Sequence, residues 1–169
     1  MGNWNNFYIQ KMGSSDSVHE SVSTWGIWCK SIPFVIARGV KEPAKNDWYD
    51  EHGDDEYIPV EGLYMQAYTM KVEFGCKVIS AGTGIAAVSD VRAKVTSFLE
   101  YLRTSGMMKL YSSYTGIGRQ EVRLVEVDDN ATWDKSDEGN QFLIFSVTFK
   151  VNDPVTDVVL GQSSIIEAT

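Results

Sequence analysis

Hydrophobic and polar residues alternate along two long stretches of the chain, and this pattern predicts two long β-strands. Within residues 62–79, every second position of the later part is apolar: Met70, Val72, Phe74, Cys76 and Val78. Residues 141–151 repeat the pattern with Leu143, Phe145, Val147, Phe149 and Val151. A period of two gives each strand one apolar and one polar face. The first stretch is long for one strand, so we expect a bend or bulge within it.

Between these stretches the apolar period changes to that of an α-helix, with a stripe formed by Val91, Val95, Phe98, Leu99 and Leu102. Ser89 is a good N-cap residue and Gly106 is placed for a C-terminal cap. The sequence therefore predicts one amphipathic helix over residues 89–105, packed on a sheet.

Shorter β-prone runs at residues 24–30, 33–40, 107–112 and 119–127 predict further strands, and the polar stretches 41–59 and 128–140 predict long loops. Residues 1–23 are polar and indicate an N-terminal arm, which becomes ordered against its own domain or a neighbour. Residues 24–155 then form a single β-rich domain and residues 156–169 a C-terminal tail. The predicted fold is mainly β, a β-sandwich or half-barrel with one helix packed on the sheet.

The formal net charge of −8 argues against direct nucleic-acid binding, because the 15 lysines and arginines are scattered along the chain. The same charge disfavours an anionic membrane surface, and no apolar stretch is long enough to span a bilayer. No basic segment followed by an apolar run marks a signal peptide, so synthesis in the cytoplasm is expected.

Two cysteines, Cys29 and Cys76, lie in apolar strand-like runs without a neighbouring CxxC motif or histidine. This placement predicts two buried thiols, with a Cys29–Cys76 disulfide as the alternative.

The stretch of residues 47–56 holds the candidates for a metal site, Asp50, His52, Asp54 and Asp55. Converging carboxylates suit Ca²⁺ or Mg²⁺, but the spacing does not match an EF-hand loop. The favoured interpretation is a solvated acidic loop that binds no metal.

Neither His19 nor His52 lies in a catalytic motif, and the glycine pairs at 82–84 and 116–118 lack the lysine and hydroxyl residue of a phosphate-binding loop. We therefore expect no catalytic residue, no cofactor and no enzymatic activity. The remaining signal is aromatic: Trp4, Trp48, Tyr49 and Trp133 lie outside the strongest strands and are candidates for contacts with protein or sugar. As the alternative, these rings fold back over the sheet edges.

The order of elements in residues 60–155 resembles the body of phage tail structural proteins of the tail-tube and distal-tail family. The resemblance rests on the strand EGLYMQAYTMKVEFGCKV, the glycine-capped helix, the segment MMKLYSSYTGIGRQEVRLVEV and the strand QFLIFSVTFKV before Asn-Asp-Pro. It implies a structural protein that forms homo-oligomeric rings and joins other tail proteins of a phage or prophage. Such a protein is made in the host cytoplasm and ends in the virion tail.

Two other functions remain open. A carbohydrate-binding β-sandwich would use Trp48, Tyr49 or Trp133 as stacking platforms, and a metal-dependent hydrolase would use the acidic loop.

Overall fold

The structure is a computed structural model that describes residues 6–36, 39–77, 85–128, 132–135 and 141–168. One curled antiparallel sheet of eight strands dominates it, and a long helix packs on one face of the sheet. This arrangement confirms the predicted mainly β fold in its half-barrel form.

The strands of the main sheet follow the order β2-β1-β7-β8-β10-β6-β3, and β9 also pairs with β10. Their bounds are β1 Phe7–Lys11, β2 His19–Glu20, β3 Ile27–Ser31, β6 Tyr68–Lys77, β7 Met108–Ser112, β8 Ile117–Val127, β9 Thr132–Lys135 and β10 Gln141–Val151. Two small hairpins lie outside the main sheet, β4 Lys45–Asn46 with β5 Asp55–Glu56, and β11 Val158–Leu160 with β12 Ile165–Glu167.

The predicted alternation of apolar and polar residues is present in β6 and β10. These two strands pair along ten residues, and the alternating apolar residues of each, Met70 to Cys76 and Leu143 to Val151, turn to the same side, where they are buried. The strand is shorter than the stretch 62–79, since β6 begins only at Tyr68. The bend or bulge expected in that stretch stays a prediction.

The long helix α2 spans Ile85–Ser105, so it begins four residues before the predicted cap at Ser89. The run Ile-Ala-Ala-Val that precedes Ser89 explains the difference, because alanine is the best helix former and the mid-helix cost of one serine is small. At the other end, Gly106 adopts a φ of 65°, the left-handed conformation expected of a C-terminal cap.

Aromatic rings fill the space between α2 and the sheet. The ring centroid of Phe98 on α2 lies 5.2 Å from Trp25, 5.4 Å from Phe74 and 5.9 Å from Phe7. Phe145 extends the same cluster along β10. These side chains are buried and form the centre of the hydrophobic core.

Within the described part of residues 1–23, strands β1 and β2 belong to the main sheet. Strand β1 pairs with β7, and its residues Phe7 and Ile9 are fully buried. The predicted strand at 24–30 is wrong at its start, because Ser21–Trp25 forms the short helix α1. Gly26 ends α1 in the left-handed conformation, and only then does β3 begin.

Two further predictions are wrong. The predicted strand at 33–40 is not formed in the described part of those residues, where only Val40 pairs, in a β-bridge with Met65. The reason is a tight turn after the end of β3, in which the Phe34 amide donates to the Ile32 carbonyl. The predicted loop at 128–140 contains β9, whose polar sequence is held by pairing with the first residues of β10.

The two cysteines are buried thiols, as the favoured interpretation predicts. In the register of β3 and β6, Cys29 lies opposite Phe74 and Cys76 opposite Ile27. Burial raises the pKa of the Cys76 thiol to about 11.

Candidate assembly surface

Residues 39–66, called the extension here, leave the body of the protein between β3 and β6 and fold back on themselves. At its base the amide of Gln66 donates to the carbonyl of Gly39, and the amide of Lys41 donates to that of Tyr64. Further out, Tyr57 donates to Ala44, and the β4–β5 hairpin follows. These hydrogen bonds join the outgoing and the returning half of the extension, called its two legs, and no residue of the extension is buried.

The exposed side chains of the extension include nine large apolar ones: Val40, Trp48, Tyr49, Tyr57, Ile58, Val60, Leu63, Tyr64 and Met65. Tyr49 and Val60 are fully accessible, and Tyr57 and Tyr64 are 72% and 60% exposed. Exposed apolar residues scattered singly are ordinary, whereas this density within one segment is typical of a contact surface.

The extension also concentrates the charge of the molecule. It contains two lysines and eight carboxylates, a net charge of −6 out of −8 for the whole chain. Lys45 forms ion pairs with Glu42 at 3.2 Å and with Asp54 at 3.1 Å. Hydrogen bonds from Lys45 to Asp54 and then Glu42 raise the pKa of the lysine, so the two legs are held partly by charge.

The structure does not bring the candidate metal ligands together into a site. Asp54 is engaged by Lys45, Asp55 lies in β5 opposite Asn46, and Asp50 and His52 are exposed near the tip. Across the described ranges, no group of three His, Cys, Asp or Glu side chains is arranged to hold a metal ion.

The contact candidates have different outcomes. Trp48, which is 54% exposed, and Tyr49 stand side by side on the extension. Trp4 lies outside the described residues, and Trp133 lies in β9 rather than in a loop, opposite Leu143 in the strand register. A role of Trp4 and Trp133 in contacts stays a prediction.

Sequence reasoning missed the apolar residues of the return leg, Tyr57 to Met65. From residue 63 onward, apolar and polar residues alternate up to β6, so the pattern predicts that the buried strand begins there. The signal that distinguishes them is the neighbouring Pro59 and Gly62, which break the strand and form a turn closed by a 3.0 Å hydrogen bond.

His19, the other histidine, belongs to a small polar network. Asp16 accepts hydrogen bonds from Tyr101 at 2.7 Å and from His19 at 3.3 Å. Burial alone would raise the pKa of Asp16, but these hydrogen bonds outweigh it and lower the pKa. The network ties the turn after β1 to the last turns of α2.

Comparison with solved structures identifies the architecture. Over 91% of its length the chain superposes on the Dit protein of phage SPP1, with a TM-score of 0.54 and 13% sequence identity. It shares the fold of SPP1 Dit. The chain corresponds to 52% of Dit, so it spans about half the length of that protein.

Dit of SPP1 is described as a paradigm of the hub adsorption apparatus in phages that infect Gram-positive hosts. No protein-family model matches the sequence, and no curated protein matches it. The likeness to Dit is thus one of fold. Within the described residues, no helix is long and apolar enough to cross a membrane.

Proposed function

We propose that this chain is a non-enzymatic structural component of a phage or prophage tail, which assembles into homo-oligomeric rings and joins other tail proteins. It would be made in the host cytoplasm and end in the virion tail. The observation that carries the proposal is the extension, a segment of the fold that buries none of its own apolar side chains.

The apolar area of the extension fits a stable protein interface. Each aromatic side chain can bury about 150–250 Å², and the extension exposes four of them together with five aliphatic ones. A specific interface needs about 800 Å² from each partner. Exposed apolar side chains at this density in one segment suit a surface that a partner covers.

The shared fold with SPP1 Dit supports a role in the tail, since that protein is described as a hub of the adsorption apparatus. Among the described residues, β3 ends the strand order of the main sheet and pairs only with β6, and an unpaired sheet edge needs a partner or a cover.

The experiment measures the mass of the particles by size-exclusion chromatography with light scattering and examines them by negative-stain microscopy. The variant Tyr49→Ser/Tyr57→Ser/Tyr64→Ser removes three exposed rings of the extension. The matched control is Tyr114→Ser, which removes a ring that is 69% exposed in the turn between β7 and β8.

We expect rings from the wild-type chain and from Tyr114→Ser, and monomers from the triple variant, with all three melting at similar temperatures. A wild-type chain that stays monomeric from micromolar to millimolar concentration would contradict the proposal, as would a triple variant that assembles normally.

A further inference from the structure

We propose that Met12 and Met107 form a site of reversible oxidation by hydrogen peroxide, and that a sulfoxide at Met12 releases a bulge of β8 at one end of the main sheet. Met12 follows β1 and Met107 precedes β7, so the two residues lie side by side where these paired strands meet solvent. The site is separate from the extension and does not depend on the proposed assembly.

Four hydrogen bonds form a closed cycle across this end of the sheet. The Met12 amide donates to the Met107 carbonyl at 2.9 Å, which extends the pairing of β1 with β7. The Glu121 amide of β8 donates to the Met12 sulfur at 3.2 Å. Asn152, the residue after β10, donates from its amide to the Glu121 carbonyl at 3.1 Å and from its side chain to the Met107 sulfur at 3.8 Å. This cycle, called the methionine clasp here, joins four adjacent strands.

The backbone of Glu121 needs the support that the methionine clasp gives. Its φ of 52° is the left-handed conformation, which is uncommon for a residue other than glycine. Val122 of β8 lies opposite Met108 of β7, and Arg119 lies opposite Leu110. Two residues of β8 therefore face one residue of β7, and Glu121 is part of this β-bulge. The clasp holds the bulge through both the amide and the carbonyl of Glu121.

The side chains of the clasp are within reach of a small oxidant, whereas two other methionines of the sheet are not. Met107 is 41% exposed and Met12 is half-buried. Met70 and Met108 are only 3% and 0% exposed. Oxidation of sulfur side chains follows their exposure, so the clasp should react while the core methionines stay protected. Met65 on the extension is 37% exposed and serves as a reference for Met107.

Hydrogen peroxide oxidises a methionine thioether by transfer of one oxygen atom. A lone pair of the sulfur attacks one peroxide oxygen, the O–O bond breaks and an S–O bond forms. The second oxygen leaves as water with both peroxide protons. The sulfur loses two electrons, which the peroxide gains, and the product is methionine sulfoxide.

Oxidation of Met12 breaks its hydrogen bond with Glu121, whichever lone pair reacts. The sulfur and the Glu121 nitrogen are 3.2 Å apart, which leaves no room for an oxygen atom between them. If the other lone pair reacts, the sulfur becomes electron-poor and no longer accepts a hydrogen bond, because even a thioether sulfur is a weak acceptor. The Glu121 amide then loses this acceptor, and the bulge loses one of its two supports.

Oxidation of Met107 has a smaller consequence. Its sulfur lies 3.8 Å from the Asn152 side chain, so the bond that is lost is a weak one. The side chain is also exposed, and a sulfoxide oxygen can point into water. Met107 should therefore react first without a large effect, and Met12 should determine when the clasp opens.

The experiment treats the full chain with increasing hydrogen peroxide and locates each added oxygen by mass spectrometry of its peptides. We expect Met107 and Met65 to be oxidised first and Met12 next, while Met70 and Met108 stay unmodified in the folded chain.

Hydrogen exchange of the Glu121 amide and the melting temperature report whether the clasp opens. Oxidation of Met12 should speed this exchange on the order of tenfold. It should also lower the melting temperature by about 2–4 °C, the shift that the loss of one hydrogen bond causes in a chain of this size. A methionine sulfoxide reductase with a dithiol, which removes the oxygen as water and becomes a disulfide, should reverse both changes.

Two leucine variants complete the test, since leucine replaces methionine at similar volume. Met12→Leu removes the sulfur acceptor, so its Glu121 amide should exchange fast before any peroxide is added, and peroxide should not lower its melting temperature further. Met65→Leu removes a thioether of similar exposure to Met107 outside the clasp and should respond to peroxide as the wild type does.

Two results would overturn the proposal. One is a wild-type chain in which Met12 is oxidised no faster than the buried Met70. The other is a folded chain with a sulfoxide at Met12 in which exchange of the Glu121 amide is unchanged. Both are measured on the wild-type chain, so they decide the question even if Met12→Leu does not fold.

Discussion

Asp153 shows how one carboxylate secures the turn that follows β10. Its Oδ1 accepts hydrogen bonds from the amides of Val155 and Thr156, each at 3.0 Å, and its Oδ2 accepts one from Gln120 at 3.0 Å. Burial alone would raise the pKa of Asp153, but these hydrogen bonds outweigh it and lower the pKa from 3.8 to about 2. The ionised form is therefore part of the folded turn.

A group whose pKa is lowered on folding stabilises the fold above its unfolded pKa and loses that effect as the pH falls through its folded pKa. We expect Asp153→Asn to reduce the free energy of unfolding by about 1 kcal/mol at neutral pH. The difference from wild type should shrink as the pH falls from 3.8 to about 2. Urea unfolding at a series of pH values measures it.

The matched control is Asp50→Asn, which changes an exposed carboxylate on the extension in the same way and should leave the free energy of unfolding unchanged. A difference for Asp153→Asn that is constant over the whole pH range would show that the charge of Asp153 is not what stabilises the turn.

At the scale of elements, the C-terminal hairpin of β11 and β12 packs on the sheet at Gly118, where the space leaves no room for a side chain. A Cβ atom on Gly118 of β8 would lie 2.5 Å from the carbonyl oxygen of Val158 and 2.9 Å from that of Leu110. Val158 and Ile165 of the hairpin are buried, and the Ile165 amide donates to Gln10 of β1 at 2.8 Å. The hairpin thus packs tightly on β7 and β8.

Gly118→Ala should therefore separate the hairpin from the sheet and reduce the free energy of unfolding by about 1–3 kcal/mol, the usual cost of overpacking. Chemical denaturation measures the change. Gly39→Ala is the control, because its nearest neighbour is the flexible end of the Gln66 side chain at 3.4 Å. Equal stability of the two variants would mean that the hairpin can shift without cost.

Elements with one buried face were predictable from the sequence, and those held by distant pairing were not. Strands β6 and β10 and the apolar stripe of α2 repeat their period over many residues, so local pattern is sufficient. Strand β1 is short and lies among polar residues, and its place in the sheet comes from pairing with β7 far along the chain. The four residues of β9 depend in the same way on β10.

The candidate surface was predictable only in part. The acidity of residues 47–56 and the exposure of Trp48 and Tyr49 follow from a polar context. An apolar residue in a β-prone run is normally assigned to a core, and the turn at Pro59 and Gly62 is the only local sign that Leu63 and Tyr64 lie outside the buried strand. Which apolar residues lack a partner depends on the packing of the whole molecule.

At the scale of the whole molecule, we expect the body to keep its stability without the extension. The extension contributes no buried residue, and its ladder closes on itself at Val40 and Met65. Its removal should therefore leave the core intact while it abolishes assembly.

Replacement of residues 42–63 by Asn-Gly joins Lys41 to Tyr64 through a two-residue hairpin turn. We expect the melting temperature, followed by circular dichroism, to change by no more than about 4 °C, the shift that about 1 kcal/mol causes in a chain of this size. Sizing of the same sample should give a monomer. A shortened chain that unfolds, or that still forms rings, would contradict this separation.

The burial of both native thiols allows a single introduced cysteine to be labelled selectively. Cys29 and Cys76 are 1% and 0% exposed, and the high pKa of Cys76 leaves little thiolate to react with maleimides at neutral pH. A cysteine introduced at the fully exposed Val60 would then react selectively, without removal of the native pair. A fluorophore placed there would report when the extension leaves water, and the kinetics of subunit addition could be followed in real time.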